Sequence, residues 1–504
     1  MHTDDHSRNL RREGGGMTRR EALMSSAAVA LTRFGTSGAG ALLASGIGAG
    51  TSTPAVADSG PPNIVYIIAD DAGWKDVGYH GSEIRTPNLD PLAAEGARLE
   101  QFYAQPMCTP TRAALMTGRY PFRYGLQTAV IPQAGSYGLA LDEYTLPQML
   151  KDAGYATAMS GKWHLGHSRT EYWPRQRGFD SFYGALLGEI DHFTHKAANG
   201  NPDWYRNNKA LEERGYDNIL IGAEAVRLID GHDRNKPLFL YLAFTAPHTP
   251  YQAPDEYLDR NGHIADESRR KYAAMISVMD DEIGKVVAAL EKRGMRDNTL
   301  IVFQSDNGGV VNAFFAGESE VKGKLPADNG PYREGKGTTY EGGTRVVALA
   351  NWPGKIKPGT IDGPIHVVDM YPTLAGVAGA ALDRNKPLDG LDMWPTLAEG
   401  KPSPRSEIVY NIEPMTGAVR QGDWKLVWKA VLPQSIELFD LSRDERESTN
   451  LAAQNPEIVG KLQARITELA SEMAPPLIMH DAVKLLLHSP TLLPDASAMF
   501  NVGD

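Results

Sequence analysis

An α/β fold is what this 504-residue sequence predicts: a large mixed, mainly parallel sheet sandwiched by helices, followed by a smaller antiparallel sheet with a helix. Three observations predict it. Short, nearly unbroken apolar runs recur along the chain, and stretches of helical spacing separate them. The third is composition: 51 glycines and 33 prolines, about a sixth of the residues, exclude a coiled coil or a helical bundle.

The runs are residues 63–69 (NIVYIIA), 155–160 (YATAMS), 237–246 (PLFLYLAFTA) and 298–305 (NTLIVFQS). Runs of this kind suit strands covered on both faces. Between them, residues 146–152 read as helical. So do residues 268–292, where Tyr272, Ile276, Met279, Ile283 and Val287 recur at three- and four-residue spacing. Each run ends in residues able to do chemistry: Asp70 and Asp71, Lys162 and His164, His248, and Asp306 with Asn307. Open α/β sheets bind ligands beyond the carboxyl ends of their strands, so these four ends are expected to meet on one rim.

Adjacent carboxylates repel unless a cation lies between them. Asp70, Asp71 and Asp306 with the amide oxygen of Asn307 form a hard oxygen set suited to Ca²⁺ or Mg²⁺. Zinc is disfavoured, because the sequence has no HExxH, no cysteine pair and no histidine cluster at ligand spacing. The single cysteine, Cys108, excludes an intramolecular disulfide. It stands in MCTPTRAALMTGR (107–119), where Pro110 marks a first helical turn and Gly118 a stop. That spacing places Cys108 at a helix amino end, where free N–H groups favour an anion, with Arg112 about one turn on.

The ends of the chain read differently. Residues 17–57 combine Arg19 and Arg20, an apolar run at 27–31 and the small-residue pattern Ala55, Val56, Ala57. Together these read as a twin-arginine export signal and predict a periplasmic or secreted protein. No later segment approaches the roughly 18 consecutive apolar residues of a membrane span, and a formal charge of −11 argues against general nucleic-acid coating. After residue 400, strand-like runs at 406–410, 418–427 (turning at Gly422 and Asp423) and 436–441 precede a helix at 456–473. The expected organisation is a signal and tail (1–57), a catalytic domain (58–400) and a C-terminal subdomain (401–504).

The pattern Cys108-x-Pro110-x-Arg112, continued by Leu115, Met116, Thr117, Gly118 and Arg119, resembles the type I sulfatase family. In that family a maturation enzyme converts the cysteine to Cα-formylglycine. The resemblance covers about residues 61–450. It includes GKWHLG (161–166), RGFDSFY (177–183), residues 237–248, SDNGG (305–309), GKGTTYEGG (335–343) and PLDGLD (387–392), and runs closest to arylsulfatase B-like enzymes. Thr111 departs from the more usual serine but keeps the hydroxyl, so modification is still expected.

The resemblance implies an alkaline phosphatase-like fold and hydrolysis of sulfate esters, with one Ca²⁺ held by Asp70, Asp71, Asp306, Asn307 and the modified Cys108. Arg112 would fix the formylglycine diol, while Lys162, His164, His248 and Lys336 match the sulfate-binding and proton-transfer positions. His248, alone or with Lys336, is the candidate acid and His164 the candidate base. The implied partners are the formylglycine-generating enzyme and a sulfated small molecule or saccharide, such as a 4-sulfated N-acetylgalactosamine unit. Two other readings stay open: a phosphodiester or phosphonate monoester hydrolase of the same superfamily, and a non-catalytic binder of sulfated glycans if Cys108 stays a thiol. His167, His192 and His195 are read as surface or substrate-rim residues, and Trp173, Trp204 and Tyr205 as either sugar-stacking or core residues.

Overall fold

The computed structural model describes residues 60–315, 324–431 and 433–481; the export signal read at 1–57 lies outside them. Ten strands form the large sheet: β1 (Asn63–Ala69), β2 (Ala97–Leu99), β3 (Ala156–Gly161), β4 (Ser181–Gly184), β5 (Tyr205–Arg206), β6 (Lys209–Ala210), β7 (Leu238–Ala243), β8 (Thr299–Ser305), β9 (Ala348–Asn351) and β10 (Gly359–Ile361). Their order across the sheet is β10-β2-β9-β8-β1-β7-β3-β4-β5-β6. The central strands β8, β1, β7, β3 and β4 are mutually parallel, and antiparallel pairs occur only toward the edges. The sheet is therefore mixed and mainly parallel, as expected.

Strand β1 shows why the apolar runs are unbroken. All seven residues are buried, and with a side-chain period of two they alternate between two cores. Ile64, Tyr66 and Ile68 face helices α1 (Cys108–Thr117), α2 (Leu146–Asp152) and α5 (Met370–Ala378). Val65, Ile67 and Ala69 face α3 (Asp217–Asp230) and α4 (Glu267–Lys292). A strand with one wet face would have alternated apolar with polar residues instead. Helix α4 starts where Asp266 accepts a hydrogen bond from the Arg269 N–H at 2.7 Å, an N-cap that the apolar spacing left unmarked.

The run at 237–246 overshoots its strand. β7 stops at Ala243, and the chain then crosses the rim, with Phe244 N–H donating to Ile68 O and Asp70 N–H donating to Ala246 O, both at 3.0 Å. These bonds tie the end of β7 to the end of β1, so residues 244–248 become part of the site.

The second sheet comprises β11 (Glu407–Glu413), β12 (Thr416–Gln421), β13 (Trp424–Lys429) and β14 (Ser435–Asp440), antiparallel in chain order. Gly422 and Asp423 form the predicted two-residue turn, and Gly422 adopts φ 57°, which favours glycine there. One face packs on α6 (Pro456–Ser471) through Leu462, Ile466 and Leu469. The other meets Tyr103 and Tyr340 through Ile408, Tyr410, Ala418, Val427 and Phe439. Lys425 lies on this inner face, fully buried, 2.9 Å from Glu341 and 2.8 Å from Glu447. Tyr103 and Tyr410 also donate to Glu341, at 2.8 and 2.7 Å. Burial works against the Glu341 carboxylate, but Lys425, Arg345 and Arg420 outweigh it and hold its pKa down to about 2.

Removing a buried ion-pair partner leaves uncompensated charge. Lys425→Met should therefore lower the unfolding free energy by about 3–5 kcal/mol, measured by urea denaturation at neutral pH. A change below about 1 kcal/mol would show that Glu341 and Glu447 do not depend on this cation.

Candidate active site

The adjacent strands β8, β1, β7 and β3 deliver their carboxyl ends to one rim, and Asp306, Asp70, Ala246 and Lys162 follow them there. Asp306 N–H donates to Ala69 O and Lys162 N–H to Ala243 O, so each strand end is fastened to its neighbour. Asp71 turns through φ 68° and His164 through φ 57°, left-handed backbone that is uncommon for residues with a side chain. Such turns point both side chains into the site instead of along the sheet.

Helix α1 begins at Cys108 itself, after Met107 in extended conformation, and ends at Gly118 in the left-handed conformation. The Cys108 thiol is buried and lies 3.4 Å from Asp70 Oδ1. One turn on, Arg112 donates to Asp306 Oδ2 from Nε and Nη2 at 3.2 and 2.8 Å, and from Nη1 to Lys162 O at 3.1 Å. Thr109 joins this helix to the histidine turn, donating to His164 O at 3.0 Å while accepting from Ile131 N–H at 3.1 Å.

Three carboxylates thus meet three cations. Lys162 is 2.5 Å from Asp70, Lys336 is 2.8 Å from Asp71, and Arg112 is 2.8 Å from Asp306. Asp70, Asp71, Cys108 and His248 each bring a ligand atom within 4.8 Å of the others. Asp306 is not in that group; its Oδ1 accepts from Asp71 N–H at 3.1 Å. Asn307 donates from Nδ2 to Asp71 Oδ1 at 2.7 Å, while its buried Oδ1 has no hydrogen-bond partner. A buried amide oxygen without a donor is costly, and beside three carboxylates it completes an oxygen-rich set that fits a hard divalent cation.

The protonation states follow from burial and neighbours. Burial opposes ionisation of Asp71, yet Lys336, His248 and Lys162 together lower its pKa to about 2. Asp306 moves the other way, to about 6, because burial and Asp70 outweigh Arg112. Burial and Asp306 push the Cys108 thiol well above its ordinary value, so as a plain cysteine it is a poor nucleophile. Burial and Lys336 bring His248 down to about 4. Burial, with Lys162 and Arg112, holds His164 well below its usual range. Both imidazoles are neutral at pH 7.

Their hydrogen bonds then fix the tautomers. His164 Nε2 lies 3.1 Å from Ile131 O and must donate to it, which leaves Nδ1, buried and without a partner, as an acceptor. His248 Nδ1 lies 2.8 Å from Thr249 O and likewise donates, so Nε2 accepts from Lys336 Nζ at 3.2 Å. Next to these groups opens a cavity of about 520 Å³, reached by Cys108, His164, His248 and Lys336.

Residues 62–380 match the family model described as Sulfatase. The chain is 40% identical over 395 residues to Arylsulfatase J of Mus musculus, across 76% of this chain and 64% of that protein. To N-acetylgalactosamine-6-sulfatase of Homo sapiens it is 36% identical over 380 residues, 71% of this chain and 70% of that one. Among solved structures, Ps i-CgsB in complex with k-i-k-neocarrahexaose superposes with a TM-score of 0.76 at 33% identity, covering 88% of this chain and 100% of that one. The chain belongs to the sulfatase family. Its named relatives are sulfuric ester hydrolases, and its large mixed sheet and smaller C-terminal antiparallel sheet have the alkaline phosphatase-like arrangement expected from the sequence.

Every site residue expected of this sulfatase from its sequence lies on this rim. Of the three unassigned histidines, His167 is half-buried, with Nε2 3.0 Å from Gln133 O, but the other two are not on the surface. His192 and His195 are both buried. His195 stacks on Trp204 at 4.5 Å between ring centres, so Trp204 belongs to the core and does not offer a face to a sugar. His192 contacts Asp217 through Nδ1 at 2.9 Å and the His248 backbone oxygen through Nε2 at 3.1 Å. Burial disfavours its charge but Asp217 outweighs burial and raises its pKa, so His192 pins the loop that carries His248. Thr109, Ile131 and Gly188 also serve the site, and no motif pointed to them. A Cβ at Gly188 would lie 2.1 Å from His164 Cε1, so the histidine ring occupies the space that any side chain at 188 would need.

Displacing a catalytic group by about 1 Å costs up to roughly a hundredfold in rate. Gly188→Ala should therefore cut kcat/KM by tenfold or more while leaving the thermal midpoint within a few degrees of the parent. Steady-state kinetics beside a melting curve would check this; a fully active variant would show that the ring at 164 has room to move.

Proposed function

We propose that this protein hydrolyses sulfate esters with a formylglycine nucleophile made from Cys108 and one bound Ca²⁺, acting on a sulfated small molecule or saccharide. The observation that carries this reading is the placement of Cys108 at the first residue of α1, 3.4 Å from Asp70 and ringed by Arg112, Lys162 and Lys336. Its high thiol pKa gives the unmodified residue little use as a nucleophile, whereas a hydrated aldehyde there would supply one hydroxyl to attack sulfur and a second to expel sulfate afterwards. Asp70, Asp71, Asp306 and Asn307 would hold the cation, whose chemistry is to lower the pKa of that hydroxyl and polarise a sulfate oxygen.

The chain's own groups have separable tasks. Arg112, bonded to Asp306 and to Lys162 O, is held rigidly beside residue 108. Lys162 and Lys336 present charge to oxygens that become more negative in the transition state. Lys336 Nζ faces the unprotonated His248 Nε2 at 3.2 Å while His248 Nδ1–H stays on Thr249 O, so the proton for the leaving oxygen comes from the Nζ–Nε2 edge of this pair and not through Nδ1. His164 lines the same cavity as Cys108, has a buried Nδ1 lone pair without a partner, and serves as base for the second hydroxyl. Residues 1–57 fit an export signal, which would deliver the protein to the periplasm or beyond, and residues 58–400 and 401–504 are read as catalytic and C-terminal regions.

Mass spectrometry of the tryptic peptide 99–112 from the native host should find formylglycine at position 108; a thiol throughout would overturn the proposed nucleophile. Cys108→Ala should abolish turnover of an aryl sulfate by at least about 10³-fold with the fold retained. Chelation should likewise remove activity, with Ca²⁺ restoring it best. A clear excess of aryl phosphodiester turnover over aryl sulfate turnover would favour the phosphodiesterase reading instead.

A further inference from the structure

The wall of the cavity differs sharply from its floor. On the floor each cation already has its carboxylate: Lys162 with Asp70, Lys336 with Asp71, Arg112 with Asp306. The wall above is largely apolar, contributed by Val130, Ile131, Pro132, Leu187, Ala198 and Phe314. Among the described lining residues Lys336 is the only lysine or arginine and Glu189 the only acidic side chain. Glu189 is solvent-exposed, follows directly on the Gly188 that accommodates the His164 ring, and lines the cavity together with His248.

This distribution suits one ester sulfate and little further negative charge. A single sulfate can share the floor cations with the proposed Ca²⁺. Among the described residues, a second anionic group on the same substrate would meet hydrocarbon and the Glu189 carboxylate and no further lysine or arginine. Desolvating an unpaired anion against an apolar wall is costly, and a like charge adds to that cost.

We propose that Glu189 is a charge filter at the mouth of this cavity, selecting sulfate monoesters of uncharged, partly apolar alcohols and disfavouring esters that carry a second anionic group beside the scissile one. The inference rests on the sulfatase reading above and adds a substrate class to it. Discrimination of this kind is electrostatic and partly exposed, so added salt should weaken it.

The test compares two esters, 4-nitrophenyl sulfate and its ring-carboxylated analogue 2-carboxy-4-nitrophenyl sulfate, on the Ca²⁺-loaded, formylglycine-bearing enzyme. The parent protein should favour the ester without the ring carboxylate. E189Q should raise kcat/KM for the carboxylated ester relative to the parent ester by about fivefold, and E189K by more. Because each variant is judged by its ratio on the same two substrates, differences in leaving group cancel. In the parent protein, raising the salt from 0.05 to about 0.5 M should shrink the ratio, and in E189Q it should not. A ratio unmoved by both substitutions, or unmoved by salt in the parent, would overturn the filter while leaving sulfatase activity intact. Failure of the parent protein to turn over 4-nitrophenyl sulfate at all would overturn the functional reading itself and the filter with it.

Discussion

Three carboxylates brought together at one sheet rim, Asp70, Asp71 and Asp306, are the constraint on which the site depends. They are fully or almost fully buried, and water cannot moderate their repulsion there. Each is therefore matched with a cation from a different part of the chain: Lys162 from the end of β3, Lys336 from the loop before Glu341, and Arg112 from α1. Once these pairs exist, the helix that starts with Cys108, the histidine turn at 164 and the loop at 336 have little freedom to shift independently.

The same constraint explains why distant parts of the molecule matter. Lys336 is carried by a loop whose N–H groups are satisfied far from its own strand: Lys336 N–H donates to Gly309 O and Gly337 N–H to Pro106 O. A few residues later Glu341 anchors that loop to the small sheet through Lys425 and Tyr410, and to Tyr103, which packs on the same face. The C-terminal sheet lies outside the rim, yet it fixes the far end of a segment that supplies the cation paired with Asp71. His192 does the corresponding work for His248, using a buried ion pair with Asp217 to hold a backbone oxygen.

Burial also sets the chemistry. A histidine on a wet surface would titrate near neutrality, but beside Lys336 or Arg112 in a dry pocket the neutral form wins. That makes each imidazole an acceptor at one defined nitrogen, Nδ1 in His164 and Nε2 in His248. The cavity above then limits what can approach, because its walls are hydrocarbon where its floor is charged.

Much of this was legible in the sequence. Unbroken runs such as NIVYIIA declared doubly covered strands, and the polar residues at their ends named Asp70, Asp71, Lys162, His164, His248, Asp306 and Asn307. Cys108, Pro110, Arg112 and Gly118 marked a helix and its limits because proline and glycine have positional meaning at helix ends. What the sequence could not declare was adjacency. Nothing in the spacing says that β8, β1, β7 and β3 are neighbours, that His192 and His195 are interior, or that Gly188 is small because a ring from residue 164 lies against it. Local periodicity is a property of consecutive residues, so sequence determined which elements form and which chemistry they carry. Pairing across 25 to 265 positions, and the dry environment that moves each pKa, exist only when the chain is packed, and these the tertiary structure decided.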